Sequence, residues 1–235
     1  MAGVVDAFHH GGMNVSKTLT MLHTTPVAIP LFGPLAREIM PPGTNIRTIT
    51  DDSLLDDVRK AGHLTKDVVR RVVGHIQHAE AYGADCVLFT CSSVGPAVDV
   101  ARQVVNIPVF KVDEPMADKA VEAGSRIAVV ATLPTTLAPT KDLIVRAGAA
   151  AGREVSVTTL LCNEAFDALT KGDVKQHNAL LMQMIVQAAG THDVVVLAQA
   201  SMTNIVPDLP VAVAARVLTS PRLGLERVAV ALRSA

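Results

Sequence analysis

The sequence predicts an α/β fold of two similar halves, each built on a mainly parallel sheet. Three observations carry this. Short Val-rich runs alternate with longer stretches of helical periodicity, the pattern of β-α-β units. Hydrophobic residues make up 49% of the 235 positions and charged residues 18%, enough apolar surface for a sizeable core. One strand-plus-loop pattern also occurs twice: Asp85-Cys86-Val87-Leu88-Phe89-Thr90-Cys91-Ser92-Ser93 aligns with Asp193-Val194-Val195-Val196-Leu197-Ala198-Gln199-Ala200-Ser201. Each copy has an Asp, a short apolar strand and a small polar loop, then a helix-opening proline further on, Pro115 or Pro221. A fainter echo pairs Lys17, a strand and Thr25-Pro26 with Arg126, a strand, Thr132 and Pro134.

In chain order, residues 1–16 read as a loose N-terminal extension. They lack a basic stretch followed by a long apolar one, so no signal peptide is expected. Thr18–Leu22 and Ile46–Thr50 read as the first two strands. Asp51-Asp52-Ser53 with Asp56-Asp57 fits helix capping and first-turn charge better than a metal cluster, though Asp52 or Ser53 can reach a cleft. Thr65 is placed to cap a helix whose stripe is Val68, Val69, Val72, Val73 and Ile76. His75 and His78 on that helix have no third ligand in register, so a solvated face is expected. Asp85–Phe89 is a buried parallel strand, Gly95-Pro96 opens a helix, and Pro108–Val112 is the next strand. Arg126–Ala131, Glu154–Leu160 and Asp193–Leu197 complete the predicted strands. Asp173 is suited to cap a helix reaching about Ala189, with Leu180, Leu181, Met184 and Ala188 on one face. The expected division is a first domain of 17–113 plus 213–235 and a second of 114–212.

Composition removes several functions. Lys+Arg is 21 against 22 for Asp+Glu, a net charge of −1, which gives no basic excess for nucleic acid. No apolar run approaches the ~18 residues of a membrane span. Aromatic residues at 3% argue against base-stacking platforms. Three cysteines without a CxxC spacing point away from a disulfide framework or structural zinc and toward a cytoplasmic setting. Cys86, inside a strand, and Cys162 are expected to be structural. The apolar content suits a homo-oligomer.

In open parallel sheets, ligands bind at the carboxyl ends of strands. Two facing halves would set Cys91 and Gln199 on opposite walls of one cleft, with His23, Thr24, Thr25, Thr132 and Ser201 around it. Hydroxyls and backbone N–H groups near helix starts make a site for an anion such as a small carboxylate.

With these residues, the sequence resembles the aspartate/glutamate/hydantoin racemase superfamily, whose relatives include arylmalonate decarboxylase and maleate isomerase. The resemblance rests on Val87–Ser93, Ile107-Pro108-Val109, Arg126–Thr132, Val195–Met202 and Leu218-Thr219-Ser220-Pro221, and covers about residues 17–225. It implies two pseudo-symmetric flavodoxin-like halves with the active site between them, no metal and no organic cofactor. It also implies two cysteines flanking the substrate α-carbon. Cys91 matches the first, but Leu197-Ala198-Gln199 stands where the second is expected, and Gln has no proton to exchange near neutral pH.

Three chemistries remain open for Cys91, whose place near a helix start suits a thiolate. One is a racemase-like isomerase acting at the α-carbon, with His23 serving the opposite face. The second is protonation after decarboxylation of a substituted malonate. The third is addition to an activated alkene. A non-catalytic carboxylate-binding protein is the reading of another class. Backbone N–H groups of Cys91–Ser93 and the Gln199–Met202 loop, with Thr25, Thr132, Ser92, Ser93, Ala200 and Ser201, would hold the anion, and Gln199 would donate an amide hydrogen bond.

Overall fold

The structure is a computed structural model and describes residues 16–234. The extension expected at residues 1–16 therefore lies almost wholly outside the described residues. The first half holds β1 (Thr18–His23), α1 (Ala28–Ile39), β2 (Asn45–Thr50), α2 (Ser53–Ala61), α3 (Lys66–Ala81), β3 (Cys86–Phe89), α4 (Pro96–Ala101) and β4 (Val109–Lys111). There follow α5 (Glu114–Ala123), β5 (Arg126–Ala131), α6 (Pro134–Ala150), β6 (Ser156–Leu161), α7 (Asn163–Thr170), α8 (Val174–Thr191) and β7 (Val194–Leu197). A 3₁₀ stretch (Ala200–Asp208), α9 (Val211–Ala214), β8 (Val217–Thr219) and α10 (Ser220–Ser234) close the chain.

The internal repeat is a repeat of topology. One sheet runs β2-β1-β3-β4 and the other β6-β5-β7-β8, with every pairing parallel. The apolar runs form the central strands: every residue of β3 and β7, and all but Arg126 in β5, is buried. The polar runs of β2 and β6 take an edge, where no residue is fully buried. The Asp that opens each copy of the pattern does the same job in both. Asp85 accepts the Thr18 N–H at 2.7 Å and pairs with Lys17 at 3.3 Å. Asp193 accepts the Arg126 N–H at 2.9 Å and pairs with its guanidinium at 2.7 Å. Each carboxylate thus fixes where its neighbouring strand begins.

The helices cross over. α5 follows the first sheet but buries Met116, Ala117, Ala120 and Val121 in the core over the second. α10 follows the second sheet but buries Leu225, Val228, Ala229 and Leu232 with Leu19, Met21 and Phe32 over the first. α5 and α10 touch, with Arg227 and Asp118 paired at 2.8 Å. This reciprocal exchange fastens the two halves to each other and so fixes the groove between them. Gly224 lets α10 lie close: a Cβ there would stand 2.8 Å from the Val112 carbonyl oxygen.

The Thr65 and Asp173 caps form as expected, accepting from Val68 N at 3.3 Å and Gln176 N at 2.9 Å. The buried face of α8 centres on Leu181, Ile185 and Ala188, with Leu180 and Met184 half-buried at its margin. β8 escapes sequence reading because it is three residues long with two half-buried positions. Its pairing with β7 means that the chain returns to the first half after Thr219 rather than at 213. Among the described residues, no helix is long and apolar enough to cross a membrane.

Candidate active site

Cys91 and Gln199 occupy equivalent positions, each in the loop that leaves the central strand β3 or β7. Both line one cavity of about 110 Å³. Of the residues expected at the site, Thr24, Thr25, Ser92, Ser93, Ala200 and Ser201 also line it. Val94, next in the chain after Ser93, is buried in the core of the first half.

A threonine follows the first strand of each half, and in the second half it holds the Gln199 side chain. In the second half, the Gln199 side-chain oxygen accepts from the Thr132 backbone N–H at 2.6 Å and from its hydroxyl at 3.1 Å. A backbone N–H can only donate, so Oε1 must face Thr132, and the Nε2 amide keeps its two hydrogens for another acceptor. Thr132 thus acts through Gln199 rather than by lining the cavity. In the first half, Thr24 lines the same cavity as Cys91, and its side chain, with the backbone of Val94 and Ser93, favours the thiolate form.

Those neighbours do not make Cys91 a resting thiolate. Burial pushes its pKa above the ordinary thiol value and outweighs the lowering by Thr24, Val94 and Ser93. The Asp113 carboxylate adds to the rise. The sequence-based expectation of a depressed pKa is therefore corrected: α4 is only six residues long and its start does not offset burial. Cys86 and Cys162 are buried and away from the cavity, and burial pushes the Cys86 thiol up to about 12.

His23 is also placed differently from the sequence expectation. It ends β1 with no exposed surface and does not line the cavity. Its Nδ1 lies 2.7 Å from the Thr90 hydroxyl, which itself donates to the Leu22 carbonyl at 3.2 Å. Thr90 must then accept from Nδ1–H, which assigns a neutral ring protonated at Nδ1. Among the described residues Nε2 has no partner, and burial lowers the pKa to about 4. His23 therefore supports Thr90, a wall residue, from behind. The physical reason is the pleat: side chains alternate across a strand, and at this position the ring meets Phe32 of α1, with centroids 5.6 Å apart.

Several lining residues escaped sequence reading. Val27, Ala28 and Leu31 come from the start of α1, Leu55 from α2, Leu133 from the loop before α6, Thr90 from the end of β3 and Ser220 from the first residue of α10. Only the 3.6-residue pattern of α1 marks the first three, and it marks them as core. Leu55 is placed by a polar network: Asp51 holds His75 at 2.8 Å and Ser53 at 2.5 Å, and Arg71 donates to Ser53 at 2.6 Å. Ser53 and His75 thus tie α2 to α3. Asp113 is 4% exposed, and burial pushes its pKa up despite the lowering effect of Ser92. Ser93 reaches the other half, 2.8 Å from the Thr136 hydroxyl. No group of three potential metal-ligating side chains stands together among the described residues.

The sequence pattern of the Asp/Glu/Hydantoin racemase family matches residues 25–228. Curated protein sequences give no significant match. Among solved structures, an allantoin racemase from Klebsiella pneumoniae is similar with a TM-score of 0.67 at 17% identity, over 93% of this chain and 88% of that one. A glutamate racemase from Bacillus anthracis gives 0.67 at 13%, over 93% and 82%. An aspartate racemase homologue from Pyrococcus horikoshii gives 0.63 at 15%, over 93% and 100%. At these identities the structural likeness is one of fold.

Proposed function

This chain belongs to the Asp/Glu/hydantoin racemase family, a family of isomerases, and we propose that it acts at the α-carbon of a small carboxylate through Cys91, without a cofactor. The observation that carries this reading is the shared cavity of Cys91 and Gln199, one from each half. A substrate between them meets a thiol on one face and amide hydrogens on the other.

The roles follow from the geometry. As thiolate, Cys91 removes the α-proton; as thiol, it returns one. The electron pair left on carbon delocalises into the carboxylate and gives an enediolate. The Gln199 amide, fixed by Thr132, donates to the developing oxyanion, and the Ser92 and Ser201 hydroxyls assist. Gln199 supplies no acid, and buried His23 does not reach the cavity, so the proton arriving on that face comes from water, and the hydroxide left takes the proton held by the Cys91 thiol, which restores the thiolate. Because burial favours the thiol, proton abstraction uses the minority thiolate and speeds up as pH rises toward the Cys91 pKa.

Proton NMR in D2O tests this with a pool of amino acids, hydroxy acids, hydantoins, substituted malonates and maleate. Loss of an α-proton signal that disappears in Cys91→Ala supports the isomerase reading. Loss of CO2 with deuterium in the product selects decarboxylation instead, a reaction that needs a proton from one face only. Silence with a folded protein favours a carboxylate-binding role.

A further inference from the structure

Resting on the reading that Cys91 works at an α-carbon, we infer that the substrate is a singly charged carboxylate with an apolar α-substituent, and not an amino acid or a dicarboxylate. The cavity has two chemically distinct ends. Its polar groups are neutral hydroxyls and one amide on the strand-end loops, such as Thr25, Ser92, Gln199, Ser201 and Ser220. Its apolar groups sit on the helices and the loop beside them: Val27, Leu31, Leu55 and Leu133.

Among the described residues, no Asp, Glu, Lys, Arg or His side chain lines this cavity. Hydroxyl, amide and backbone donors suffice for one delocalised carboxylate. An α-ammonium needs an anionic or strongly accepting partner, and the Gln199 oxygen is already occupied by Thr132. A second carboxylate would lie against the leucines with no cation to meet it, and unpaired charges are costly to bury.

A second observation points the same way. Val27 lines the cavity yet is 66% exposed, at the start of α1. Next to it, Leu31 and Leu55 present further apolar surface to the same space. An apolar substituent would cover that surface. Val27, Leu31 and Leu55 are thereby assigned as the residues that set specificity at this end.

Four near-isosteric acids test the assignment. 2-Methylbutanoate is the reference. 2-Aminobutanoate replaces its α-methyl by ammonium, 2-methylsuccinate replaces its terminal methyl by carboxylate, and aspartate does both. Their dissociation constants are measured by calorimetry on the full chain and on Cys91→Ala. The expected result is that 2-methylbutanoate binds at least tenfold tighter than each of the others in both proteins. Equal or tighter binding of 2-aminobutanoate, 2-methylsuccinate or aspartate overturns the assignment, as does no binding of 2-methylbutanoate. In Val27→Arg, the added cation is expected to shift preference toward 2-methylsuccinate by about tenfold; an unchanged ratio removes Val27 from the specificity end. Solvent deuterium exchange on the bound acid reports on Cys91 separately. Preference without exchange leaves the substrate class standing and defeats the acid/base reading. Exchange on aspartate with the order of affinities reversed does the opposite.

Discussion

Gln199 does two jobs that two substitutions pull apart. Its oxygen satisfies the backbone N–H of Thr132, a residue only 3% exposed. Its amide hydrogens face the cavity. Gln199→Glu keeps an oxygen for Thr132 but removes the hydrogens and adds a negative charge. Gln199→Ala removes both functions. Leaving a buried donor without a partner costs about 1–3 kcal/mol, which for a chain of this size lowers Tm by roughly 2–12 °C. Losing one oxyanion donor costs about 100- to 1,000-fold in kcat. The Ala variant is therefore expected to lose both stability and turnover. The Glu variant is expected to keep the wild-type Tm near neutral pH while losing turnover to at least the same extent. Differential scanning calorimetry and solvent deuterium exchange read the two effects separately. Full turnover in the Glu variant refutes the donor role, and an unchanged Tm in the Ala variant refutes the Thr132 anchor.

Other consequences follow from buried groups and close contacts. His23 titrates near 4 when folded and near 6.5 when unfolded, so between these values the unfolded chain binds the extra proton. Stability from this group is present above pH 6.5 and is lost on acidification toward pH 4, by up to about 3 kcal/mol; in His23→Asn, denaturant titrations at pH 4.5 and 7 should differ by clearly less than in the wild type. Gly224→Ala forces a Cβ to within 2.8 Å of the Val112 oxygen and should destabilise by about 1–3 kcal/mol in urea titrations; a neutral result would mean that α10 is free to move away from β4. Cys91, alone of the three cysteines in being partly exposed, should be alkylated by iodoacetamide faster than Cys86 or Cys162, slowly at pH 7 and faster as pH rises. Equal rates at all three sites would contradict the cavity position.

Much of the fold was legible because the sequence states it twice. The Asp-strand-loop pattern marks β3 and β7, and the two carboxylates that open it perform the same tie in each half. Thr65 and Asp173 could be recognised as caps because a cap is a local event, decided within three residues. What could not be seen was tertiary. Nothing near Val217 signals that three residues will add a strand to β7. Leu31 and Leu55 look like core positions in any helix, and only packing shows that they face a cavity. The direction of the Cys91 shift was hidden for a similar reason: proximity to a helix start is visible in sequence, whereas the burial that outweighs it is set by the whole neighbourhood.

The same distinction separates scaffold from chemistry in the two halves. The duplicated architecture sets Thr24 beside Cys91 and Thr132 beside Gln199, and in the second half the threonine holds its neighbour through the side-chain oxygen. A symmetric pair of thiols on this frame would be able to exchange protons on both faces of an α-carbon. This chain keeps the frame and fills one position with a fixed hydrogen-bond donor. The two walls are therefore equivalent in geometry and unequal in proton chemistry: one can give or take a proton, and the other can only stabilise the charge that results. If that inequality governs the reaction, Gln199→Cys restores an exchanging group at a position already built to hold one. Proton exchange on a single enantiomer should then become independent of its configuration. A variant that folds, retains Cys91 and still discriminates between enantiomers as the parent does would show that the opposite proton never came from the Gln199 side.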